Sequence, residues 1–150
     1  MNLKDKIQED LKQAMLDKAE EKLSTIRMLK SALQYHEIQK GGAGYTATDE
    51  DVVEVVGREI KKRRESIEMY EKGNRQELAD KEKRELAVLQ SYLPEQLSEE
   101  DVRALVDEAI ATTGATTMAD MGKVMGILSA KTKGKAEGSI VSSIVREKLS

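Results

Sequence analysis

The chain has 150 residues, 35% of them charged and 3% aromatic, with a net charge of −3, which suits one domain or two small ones. It has no Cys, Phe or Trp, so disulfides, cysteine zinc sites and thiol catalysis are excluded. Alternating β-branched or aromatic runs are scarce and Ala, Leu, Glu, Lys, Gln and Met dominate, which predicts an all-α fold.

Asn2 is placed to cap a first helix, with Asp5 near its positive end and Leu3, Ile7, Leu11, Ala14 and Met15 at helical spacing. After a break at 18–21, Leu23, Ile26, Leu29, Ala32 and Leu33 form the stripe of a second helix, ending before the flexible run GGAG at 41–44. Thr48 followed by three acids starts a long third helix through Val52, Val56, Ile60 and Ile67 to Lys72. Asn74 with Glu77 then opens a fourth, lined by Leu78, Leu86, Leu89 and Leu93. Pro94 is the only proline; it disfavours helix at Leu93 and precedes a cap at Ser98. A domain boundary is expected there, between an N-terminal region at 1–93 of about four helices and a C-terminal three-helix domain at 94–150. The three helices are predicted near 98–112, 117–131 and 138–149, with Met118, Met121 and Met125 as core filler and Gly122 and Gly126 allowing close helix approach.

Several candidate sites read as structural. His36 is the only histidine and has no cysteine or clustered acids beside it, so no metal is expected. A Gly-x-Ser-x-Gly elbow is absent, and the run at 41–44 lacks the Lys-Ser/Thr ending of a phosphate loop, so neither catalysis nor a nucleotide cofactor is expected. Lys61, Lys62, Arg63 and Arg64 are four consecutive cations on one helix. They point around its circumference and have acids one turn away, which makes them a secondary basic cluster.

The stronger feature is KTKGK at 131–135, three lysines and a glycine between two apolar helix patterns. From 118 to 150 there are six Lys/Arg and three Asp/Glu, a local +3 within a chain of −3. The flanking Val124, Ile127, Leu128, Ile140, Ile144 and Val145 fix the helices and hence the turn. The following helix start, near Gly138 and Ser139, adds positive potential.

The blocks STIRMLKSAL (24–33), KKRRESI (61–67), ADKE (79–82), LQSYLPEQL (89–97), MGKVMG (121–126) and KTKGKAEG (131–138) occur in an order that resembles the GatB/YqeY family, most closely its stand-alone YqeY-like proteins. Many members carry Arg and Asp where this chain has Lys135 and Glu137, and Pro where it has Ala130; the charge signs are kept. The resemblance implies an all-helical protein whose C-terminal domain is similar to the tail of the B subunit of the glutamine-dependent aspartyl/glutamyl-tRNA amidotransferase. That tail is linked to tRNA binding and lacks the amidating centre. The resemblance implies a link to carbon–nitrogen ligases using glutamine as amido donor, yet an absent active site does not transfer with a fold. The implied function is a non-catalytic tRNA-binding or amidotransferase-associated module. Lys123, Lys131, Lys133, Lys135 and Arg146 are expected to contact phosphates, and Gly134 and Gly138 to let the backbone approach. The alternative is a helical protein–protein interaction module without RNA binding. No apolar run reaches the roughly 20 residues of a membrane span. The charged first residues are unlike a signal peptide. A cytoplasmic protein without a membrane partner is therefore expected.

Overall fold

A computed structural model describes all 150 residues. The chain is helical throughout its regular elements and divides into two compact units, Met1–Leu93 and Pro94–Ser150. No helix is long and apolar enough to cross a membrane.

The first unit holds α1 (Leu3–Leu16), α2 (Glu20–Gly41), α3 (Asp49–Lys72) and α4 (Gln76–Gln90). Asn2 starts α1 by accepting the Asp5 N–H at 2.8 Å. Lys18, at φ 54°, breaks the chain between α1 and α2. Thr48 and Asp51 form a reciprocal capping box at the start of α3. α3 packs against α4, and α1 and α2 lie across them. Their apolar stripes meet in one core that includes Ile7, Ile26, Leu29, Val52, Val56 and Leu89. Each such side chain contributes about 1.5–3 kcal/mol by leaving water. Tyr92 is 1% exposed in this core and donates to Asp10 Oδ2 at 2.7 Å. Burial and then the Asp10 carboxylate push its phenol well above the usual tyrosine range.

Asn74 does not cap α4. It adopts φ 57° and closes the end of α3, where the Arg75 N–H reaches the Tyr70 carbonyl at 2.8 Å. Asn tolerates the left-handed region better than other non-glycine residues, and α4 starts after Arg75 without a side-chain cap.

The second unit holds α5 (Glu99–Thr113), α6 (Met121–Thr132) and α7 (Gly138–Leu149). Ser98 and Asp101 form a capping box on α5, and Gly114 ends it at φ 69°. A short 3₁₀ turn, Met118–Asp120, precedes α6, so that the regular helix begins later than its sequence pattern suggests. Asp120 holds this turn by accepting the Thr116 and Thr117 N–H groups, which also keep its carboxyl below the usual range. The core is small, with Val102, Val106, Val124, Leu128, Val141 and Val145 all at most 1% exposed. Met121 and Met125 pack against it, whereas Met118 is 42% exposed.

Gly122 and Gly126 do not serve close packing within the chain. Both are exposed, and a Cβ added at either would meet nothing within 4 Å. The inward face of α6 is instead the Val124, Leu128 and Thr132 stripe, and the glycines fall on the opposite side.

Candidate functional site

The basic turn spans the five residues between α6 and α7. Thr132, 4% exposed, anchors its entry by donating to the Leu128 carbonyl at 2.8 Å. The Lys135 and Ala136 N–H groups turn back onto the Thr132 carbonyl at 2.8 and 3.0 Å. Between them the chain reverses through Gly134 at φ 74°, a conformation that costs L side chains roughly 1–2 kcal/mol. The turn is also held from outside. The Leu97 N–H donates to the Lys135 carbonyl at 2.8 Å, and the Gln96 side-chain amide bridges the carbonyls of Gly134 and Pro94, each at 2.8 Å. The segment 94–97 thus takes up the carbonyls of the turn and fixes their direction. Sequence reading misses this tie; its one signal is a short irregular stretch confined between Pro94 and the Ser98 cap.

Lys133 and Lys135 are exposed and form no ion pair. Lys131 is exposed too, but its ammonium lies 3.5 Å from Glu108 on α5, a loose surface pair worth little. Gly138 opens α7 with no side-chain cap, so the Gly138 and Ser139 N–H groups have no carbonyl one turn back, whereas Ile140 already donates to the Glu137 carbonyl at 3.1 Å. Lys131, Lys133, Gly134, Lys135 and Gly138 thus lie on one turn and the two helix ends that flank it. Lys123 and Arg146 do not join them. Lys123 stands nine residues before the end of α6, about 14 Å away at 1.5 Å per residue. Arg146 lies in the last turn of α7, which returns antiparallel to α6. Ile140, expected to fix the turn from inside, is 45% exposed beside it. Replacing Gly134 by Val should cost the second unit about 1–2 kcal/mol through the left-handed φ, read as a fall of several degrees in its unfolding midpoint.

The Lys61–Arg64 run is dispersed by packing. Arg63 is 5% exposed, with Nε 3.4 Å from Glu85 and Nη1 3.9 Å from Glu59. Lys62 sits 3.4 Å from Glu59. Lys61 and Arg64 are exposed. What reads as four cations in sequence contains one that belongs to the interior.

A second polar centre joins the end of α2 to the start of α3. The Asp51 carboxylate, 1% exposed, accepts from Lys40 Nζ at 2.6 Å, from the Tyr45 hydroxyl, and from the Thr48 N–H at 2.9 Å. His36 Nε2 is 3.2 Å from the same carboxylate, and Arg58 approaches His36 Nδ1 at 2.8 Å. A guanidinium only donates, so Nδ1 accepts and Nε2 carries the proton toward Asp51. Burial alone would raise the Asp51 carboxyl; the bonds from Lys40, Tyr45, Thr48 and His36 outweigh it and hold the group far below the usual range. Glu54 brings a third donor within 4.8 Å of His36 and Asp51. The lone pairs a metal would use are engaged by Lys40 and Arg58, so the group acts as a clasp between two helices. Beside it the Ala47 N–H and Lys4 both reach Glu37, at 2.6 and 2.7 Å, which seats the connecting loop.

The Yqey-like protein family matches residues 4–149 of this chain. An uncharacterized protein of Schizosaccharomyces pombe is 34% identical over 97 residues, covering 65% of this chain and 76% of that protein. In Vanderwaltozyma polyspora, the mitochondrial protein called altered inheritance of mitochondria protein 41 is 41% identical over 88 residues, 58% of this chain and 46% of that one. A glutamyl-tRNA(Gln) amidotransferase subunit of Thermococcus gammatolerans is 42% identical over 57 residues, 35% of this chain but 9% of that larger protein. With a family match running almost end to end, this chain belongs to the Yqey-like proteins.

Proposed function

We propose that the chain is a non-catalytic module that binds a structured RNA such as tRNA, or acts beside a tRNA amidotransferase, through the basic turn of its second unit. In this reading residues 94–150 are the counterpart of the amidotransferase tail. The observation that carries it is the state of Lys133 and Lys135: two exposed ammonium groups without ion pairs, on a backbone fixed at both ends. A lysine on a fixed backbone gives up only its side-chain freedom when a phosphate arrives, and no ion pair has to be broken first. Similarity to a tRNA amidotransferase subunit supports the choice of RNA. Aromatics are few, so recognition rests on shape and backbone more than on stacking. The smooth outer face of α6 at Gly122 and Gly126 leaves room for a close approach on the way to Lys133.

Filter binding of tRNA across a salt series tests this. Contact with three or four phosphates gives a slope of log K against log salt of roughly −2 to −4. A slope near zero, or no retention of tRNA at low salt, would count against it.

A second reading, docking of a protein on the first unit, is favoured by one observation. The side of α2 that faces solvent carries Met28, Tyr35 and Ile38.

A further inference from the structure

Helix α2 is apolar on two sides. Ile26, Leu29 and Leu33 point into the core. Met28, Tyr35 and Ile38 are 48%, 67% and 61% exposed. With Ser31 they recur at i, i+3, i+7 and i+10, the spacing of one helix face. A scattered exposed apolar residue needs no explanation, but a solvent-facing helix side is ordinarily polar, and this stripe runs for about 15 Å.

The stripe borders an open groove of about 850 Å³ lined by Leu23, Ser24, Arg27, Met28, Ser31 and Glu59. Against its wall lies the buried guanidinium of Arg63. Its Nη1 donates to the Glu59 carbonyl at 3.3 Å, and its Nη2 faces the Met28 sulfur at 3.9 Å. Its Nε, 3.4 Å from Glu85, makes no hydrogen bond. A guanidinium has five donors, and a thioether is a weak acceptor. Met28 is unbranched and half exposed, so it can swing aside at little cost. Arg27, on the same wall, is exposed and forms no ion pair. Glu59 already faces Lys62 and Arg63. Glu20 also lines the groove, but as the first residue of α2 it is accommodated by the positive end of that helix. Glu59 and Glu85 already face the Arg63 charge, so what this surface leaves open is Arg27, which has no carboxylate paired with it, and Arg63 Nη2, which meets only the Met28 thioether.

We infer that this face docks a partner protein through an amphipathic segment whose apolar side covers Met28, Tyr35 and Ile38 and whose Asp or Glu reaches Arg27 and, past Met28, Arg63. The inference does not depend on RNA binding by the second unit.

Selection of a displayed library of random 16-residue peptides on the immobilised 150-residue chain tests it. Enriched peptides should carry one acid among apolar residues at helical spacing. The best of them, fluorescently labelled, should lose affinity about 10-fold or more when its acid becomes Lys, and likewise against Arg27→Glu. Its binding should shift the Met28 methyl signal. Arg27 and Tyr35 are exposed, so the variants keep their circular dichroism. Enrichment of basic peptides, no enrichment, or binding indifferent to Arg27→Glu and Tyr35→Ser overturns the proposal. So does a dimer in sedimentation that Tyr35→Glu dissolves, because the face then belongs to a second copy.

Discussion

Reversing Lys131, Lys133 and Lys135 together to Glu is expected to weaken tRNA binding by roughly 100-fold. Exposed charge pairs are worth about 1 kcal/mol each, and three of them amount to about two powers of ten in affinity. The salt slope should flatten with the affinity, by about one unit for each phosphate no longer engaged. The fold should survive, because all three side chains are exposed and the turn is held by backbone bonds and Gln96. Glu at 131 would face Glu108, so the double variant at 133 and 135 isolates the effect of binding from that local repulsion. Circular dichroism checks folding, and filter binding gives the affinity. If the folded triple variant binds as tightly as the parent, the turn is a solvated loop. RNA contact, if any, then moves to Lys61, Lys62 and Arg64, without the buried Arg63.

Asp51→Ala is expected to destabilise the first unit by about 3–5 kcal/mol at neutral pH, the usual result of removing one side of a buried charged network. Lys40, Tyr45, the Thr48 N–H and His36 would all lose their common acceptor. A loss of that size is a large part of the stability of a small domain. The pH dependence follows from the direction of the shift. The folded carboxyl sits far below its unfolded value of 3.8. Its contribution is therefore complete above that value and is lost as pH falls toward the folded one. Denaturant titrations should show a constant gap between parent and variant from pH 7 to about pH 5, narrowing only in stronger acid. A gap that closes already near pH 6 would assign the effect to another group.

The parts legible in sequence are those decided by neighbours a few residues apart. Asn2, Thr48 and Ser98 start helices because a side-chain oxygen meets an N–H three residues on. The helical character of the chain is legible for the same reason, since propensity and 3.6-residue spacing are local. Asn74 is ambiguous even locally, because the residue that caps a helix well also tolerates the left-handed turn that ends one. The features that escape a sequence reading depend on pairs far apart. Arg63 meets Glu85 across two helices, and Gln96 meets Gly134 from 38 residues away. Spacing within a motif carries no record of such partners. In the same way, GxxxG spacing in α6 does not say whether a neighbour is there; here the glycines face outward.

The bonds from Gln96 and Leu97 bear on where the second unit can be cut. A fragment begun at Ser98 would keep α5, α6 and α7 whole and every fully buried residue of its apolar core, losing only Leu97 from the residues packed against it. It would look folded by any spectroscopic measure of helix. Yet it would release the Gly134 and Lys135 carbonyls from the segment that orients them, leaving the lysines on a frayed hinge. Trimming to the helices would thus preserve the architecture and discard the preorganisation, and the four residues that resemble a linker belong inside the excised piece.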